Sequence, residues 1–127
     1  MKTYWKMPKE LKLIFNQEIT DSQNLFNQNE ILASWKKLER AHIIGQPWAV
    51  EHTFSHWKML IFAFKIKEFK EILGQLPRLF IGGIKSFIGE IPTGNTGGSN
   101  VHPLKKMPIP NDILTVMNKY YNPNEKS

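Results

Sequence analysis

The chain has 127 residues and a formal charge of +6 from 17 Lys and Arg against 11 Asp and Glu, with 41% hydrophobic residues and no cysteine. That length supports one helical domain over 1–127, and the composition is too apolar for a disordered chain. The absence of cysteine excludes disulfide frameworks, thiolate zinc sites, iron–sulfur ligation and cysteine nucleophiles, so any metal must be held by nitrogen and oxygen. The positive charge is spread along the sequence with only Arg40 and Arg78 as arginines, so no specific nucleic-acid partner is expected.

Pro8 suits a helix start, and Leu11, Ile14, Phe15, Glu18, Ser22, Leu25 and Phe26 then recur at helical spacing, predicting a first helix from Pro8 to Asn27. Residues 1–7 read as a frayed tail. Asn29 is a candidate N-cap for a second helix that runs to Ile44, where Gly45 is expected to supply a left-handed cap. On a helical wheel, Ile31, Leu32, Trp35, Leu38, Glu39, His42 and Ile43 share its apolar arc.

Pro47 opens a third helix whose apolar residues Trp48, Phe54, Trp57, Met59, Leu60, Ile61, Phe62 and Phe64 point nearly all round, as in a helix buried at the centre of a bundle. After the basic turn 65–67, residues 68–90 form a fourth helical stretch. Pro77 and the pair Gly82 and Gly83 are expected to break it into two pieces. Its segment LPRLFIGGIKSFIGEIP could lie against a membrane surface or a partner helix, but reads first as a kinked core helix. The stretch 91–110 is rich in Gly, Pro, Asn and Thr and predicts a long ordered loop. A last helix is expected from Asn111 to Tyr121, with a frayed tail at 122–127.

The expected fold class is therefore all-α: antiparallel helical hairpins, similar to tetratricopeptide repeats, with a long Gly- and Pro-rich loop and a C-terminal helix. The N-terminus has no secretory pattern, and no apolar run is long enough for a transmembrane segment. A cytoplasmic location follows as an expectation.

LERAHIIGQ (38–46), His52 with HWKML (56–60), EILGQLPRL (71–79), GNTGGSNV (94–101) and MPIP (107–110) together resemble the bacterial domain-of-unknown-function family 3703. The resemblance covers most of the chain in order. It implies a small helical bacterial protein with no assigned activity. It also implies that Glu39, His42, His52, His56 and the GNTGG loop belong to the family pattern, whereas His102 is particular to this chain.

Glu39 and His42 fall on the core side of helix 2, and His52 and His56 stack one turn apart on helix 3. A short connection places Glu39 near the level of His52, so one carboxylate and three imidazoles converge between the two helices. Such a set suits a transition metal ion (Zn, Fe, Ni or Cu). The competing reading is a buried Glu–His hydrogen-bond network inside a helical-hairpin module that docks a protein partner. No catalytic residues are assigned. Glu39-Arg-Ala-His42 lacks the second copy that a di-iron bundle needs, and Glu51-His52-x-x-x-His56 has its glutamate on the wrong side for a metallopeptidase. The Gly-rich stretch lacks the G-K-[ST] ending of a nucleotide loop and reads as turn chemistry. If it folds over helices 2 and 3, its residues Asn95, Thr96, Gly97, Gly98 and His102 cover the cluster.

Overall fold

The computed structural model describes residues 6–88, 95–100 and 106–120, with backbone alone over 79–88. These residues form five helices: α1 (Lys9–Asn27), α2 (Ile31–Gly45), α3 (Ala49–Lys65), α4 (Phe69–Ile88) and α5 (Asn111–Met117). Among the described residues there is no strand, and no helix is long and apolar enough to cross a membrane.

α1 and α2 pair antiparallel through small residues that let the backbones approach closely. Ser22 Oγ donates to the Ser34 carbonyl at 2.8 Å, and Ser34 Oγ donates to the Ser22 carbonyl at 2.6 Å. This reciprocal exchange satisfies both buried hydroxyls without a third partner. α3 and α4 pair through Leu60, Ala63 and Ile72, and α2 meets α3 through Leu38, Met59 and Phe62. Leu11, Phe15, Ala41, Ile43, Ile44 and Trp48 form the largest apolar cluster, closed on one side by Ile113 and Met117 of α5. Met7 is buried in that cluster, so the expected frayed tail does not begin there. Residues 1–5 and 121–127, including Tyr121 of the expected last helix, lie outside the described residues.

Both hairpin turns have the same construction. Asn29 adopts φ 63° after α1, with Asn29 N–H bonding to the Phe26 carbonyl and Glu30 N–H to the Leu25 carbonyl at 3.0 and 2.9 Å. Lys67 adopts φ 57° after α3, with Lys67 N–H to Phe64 and Glu68 N–H to Ala63 at 3.2 and 2.9 Å. This is the paired 5→2 and 6→1 pattern that satisfies the last free carbonyls of a helix. Asn29 therefore ends α1 in the left-handed region; it does not cap α2 as expected.

Gly45 is also corrected. It lies within α2 and has no positive φ; the residue after it, Gln46, stays right-handed at φ −53°. The reason for glycine is space: a Cβ there would stand 3.0 Å from Phe15 Cε2 and 3.1 Å from Glu51 Cβ. α4 runs unbroken through Pro77 and the two glycines, against the expected break. Pro77 and Leu73 sit on the exposed face, where water can bind the carbonyl that proline leaves without a helical donor. The last helix stops at Met117, short of the expected Tyr121. α3 is not buried all round: Val50, Phe54, Trp57 and Phe64 are 57, 40, 51 and 59% exposed. Leu32 of α2 also faces solvent, at the edge of its apolar arc.

Candidate metal centre

His42 stands near the end of α2, and His52 and His56 lie one turn apart near the start of α3. Because the two helices are antiparallel neighbours, the three side chains meet in one buried space. The relative exposures are 2, 9 and 4%. Nε2 of His42 lies 3.0 Å from Nε2 of His56 and 3.1 Å from Nε2 of His52. The ring centroids are 4.6 to 4.9 Å apart, and each pair of rings is tilted, so it is the edges bearing Nε2 that converge.

The outer nitrogens fix the tautomers. His42 Nδ1–H donates to the Asn95 carbonyl at 2.7 Å. A carbonyl can only accept, so a neutral His42 bears its proton on Nδ1 and turns a lone pair inward. His56 Nδ1–H donates to Gln75 Oε1 at 2.7 Å. The orientation of that amide is determined by its own donors: Gln75 Nε2 donates to Glu71 Oε2 at 2.9 Å and to the Gly97 carbonyl at 2.7 Å. His56 therefore also presents an Nε2 lone pair inward. Two neutral rings held in this way have no proton to place along their Nε2···Nε2 line. A cation on that line, either an extra proton or a metal ion, would relieve the contact between the two lone pairs. Burial, together with the neighbouring His56 and His52, pushes the His42 pKa well below 6.5 and so disfavours the proton on that ring.

The segment 95–99 forms the outer wall. Asn95 Oδ1 accepts the Gly97 N–H at 2.9 Å, and Glu71 Oε2 accepts the Ser99 N–H at 2.8 Å. Gly97 has φ +87°, and a Cβ there would lie 2.8 Å from His42 Cδ2 and 3.0 Å from its Nε2. Only glycine allows the backbone both this angle and this approach to the imidazole. Gly98 is buried beside it, and Thr96 Oγ1 is buried with no hydrogen-bond partner among the described residues.

His42, His52 and His56 thus come together as expected, and they are the one group of metal-ligating side chains found among the described residues. Glu39 does not join them. Three residues before His42, it points about 60° round the helix from it. There Lys36 Nζ, 3.5 Å from Glu39 Oε1, provides its counter-charge. His102 lies outside the described residues. Asn95 meets the cluster through its backbone carbonyl, which no side-chain pattern reports. Gln75 and Glu71 were not anticipated, although their i, i+4 spacing inside EILGQLPRL puts two polar groups on one side of an otherwise apolar helix.

Fold and site together define an all-helical protein with a buried three-histidine cluster of a kind that could hold a metal ion. The chain belongs to the family described as proteins of unknown function, DUF3703, whose family model matches residues 9–117. No curated protein and no solved structure matches it.

Proposed function

We propose that this protein binds one transition metal ion through Nε2 of His42, His52 and His56. The observation that carries this reading is the convergence of inward-facing imidazole nitrogens whose outer N–H groups are engaged by Asn95 and Gln75. Tetrahedral ligands at about 2.0–2.1 Å from Zn²⁺ stand about 3.3 Å from one another; His42 Nε2 lies 3.0 and 3.1 Å from the other two Nε2 atoms, and the donor atoms of all three residues lie within 4.8 Å of one another, so small rotations of the rings would seat an ion. Outer partners that orient the ring and fix its tautomer are the usual second layer of a histidine metal site. The donor set is all nitrogen, which suits Zn²⁺, Cu, Ni²⁺ or Fe²⁺ and disfavours Mg²⁺ and Ca²⁺.

A second reading keeps the histidines as architecture within a tetratricopeptide-like pair of hairpins that docks a protein partner. Its support is the uncovered apolar side of α3 with Phe69, Leu73 and Leu76 of α4, the last three 71, 70 and 49% exposed.

Titration of chelator-treated protein with Zn²⁺, followed by calorimetry, separates the two. The metal reading expects one site per chain and at least a hundredfold weaker binding in His56→Ala, with the helical content retained. Absence of saturable binding in the unmodified chain, with His56→Ala changing only stability, would instead favour the docking module.

A further inference from the structure

Resting on the metal reading, we infer that the segment 95–99 is a gate over the centre, latched to α4 by Glu71 and Gln75, and that metal exchange proceeds through its release. Three observations carry this. Gly97 stands directly against the ligating edge of His42, so the segment lies over the site itself. Its inner face is attached to ligands: Asn95 holds His42, and the Gly97 carbonyl accepts from the same Gln75 amide whose oxygen holds His56. Its outer end is fastened by one carboxylate oxygen, since Glu71 Oε2 accepts both the Ser99 N–H and the Gln75 Nε2–H.

The consequence is that hydrogen bonds tie the segment to both ligand-bearing helices, to His42 of α2 directly and to His56 of α3 through Gln75 of α4. Lifting the segment removes the orienting partner of His42 and one of the partners that fix the Gln75 amide. Metal-binding geometry and closure are therefore one event: an ion that fixes the three imidazoles in place favours the closed segment, and the open segment leaves them free to turn. Glu71 is a positioning residue in this scheme. It touches no metal ligand, and its loss weakens the latch without altering the donor set.

Cobalt(II) serves as the probe, because its visible absorption in a nitrogen site reports uptake and, after addition of excess EDTA, release. For Glu71→Ala both rates are expected to rise about tenfold or more, the scale of a lost charge-assisted hydrogen bond, while the equilibrium affinity changes less than either rate. Glu71→Gln retains an oxygen for the Ser99 N–H and is expected to stay near the unmodified protein. In the metal-free state, the Ser99 and Gly97 amides of Glu71→Ala are expected to exchange hydrogen faster, with α2 and α3 unchanged. Faster release with unchanged uptake would overturn the gate and leave Glu71 as a simple support of the ligands. Unchanged rates with unchanged amide exchange would remove the latch altogether. Failure of the unmodified protein to take up cobalt would refute the metal reading and this inference with it, a result distinct from either of the others.

Discussion

Gly97 is the position where the smallest change has the clearest expected effect. Gly97→Ala places a methyl group 2.8 Å from the His42 ring at a φ of +87°. Both the contact and the angle are unfavourable, so the segment or the ring must move. The expected cost is about 1–3 kcal/mol of stability, the range for strained backbone, together with weaker Zn²⁺ binding. Chemical denaturation and the calorimetric titration check the two effects, and an alanine variant matching the unmodified protein in both would contradict the close packing. His42 gives a pH dependence at the same scale. Its folded pKa lies well below the unfolded value of 6.5, so the unfolded state binds the proton first. Stability is present above 6.5 and is lost as the pH falls toward the folded pKa. In metal-free protein the denaturation midpoint should decline below pH 6.5, and His42→Gln should remove one proton from that slope. An unchanged slope in the variant would contradict the assignment.

At the scale of elements, the two hairpins end α1 and α3 with the same pair of backbone hydrogen bonds around a left-handed residue. Asn tolerates that conformation, but Lys67 does not, and a left-handed L-residue costs about 1–2 kcal/mol. Lys67→Gly relieves this strain and loses about 0.5–1 kcal/mol to the greater freedom of the unfolded chain. A net gain of up to about 1.5 kcal/mol follows from the two terms, seen as a higher urea midpoint with an unchanged slope. A lower midpoint would show that Lys67 makes contacts that outweigh its strain. The helices themselves were legible in the sequence because an apolar residue every three or four positions is a strong periodic signal. The turn chemistry was less so: a residue such as Lys67 carries no mark of its left-handed angle. Gly45 misled for the converse reason, since glycine serves close approach as well as positive φ, and only the neighbouring Phe15 and Glu51 distinguish the two uses.

At the scale of the molecule, periodicity places a residue on a face but does not determine which neighbour that face meets. His42, His52 and His56 lie together because a short connection forces α2 and α3 into contact at that end. Glu39 stands apart from that group and pairs with Lys36, because a wheel angle of about 60° is enough to turn a side chain from the α2–α3 seam. The outer partners depend on contacts between segments 19 to 53 residues apart in the chain, such as His56 with Gln75 and His42 with Asn95. Local sequence holds no direct record of these contacts. The same distance explains why the aromatic side of α3 looks buried in sequence and is exposed in the structure, for its own sequence does not say which element packs on it.

The account turns on whether the three imidazoles hold an ion in the protein as cells make it. Elemental analysis by mass spectrometry of untagged protein purified without chelator tests this most directly, beside a His52→Ala, His56→Ala double variant. Close to one transition metal per chain is expected in the first and none in the second, with the element itself identified by the measurement. No metal in the unmodified protein, even after incubation with Zn²⁺, Ni²⁺ and Fe²⁺, would contradict it and leave the histidines as a buried hydrogen-bonded network.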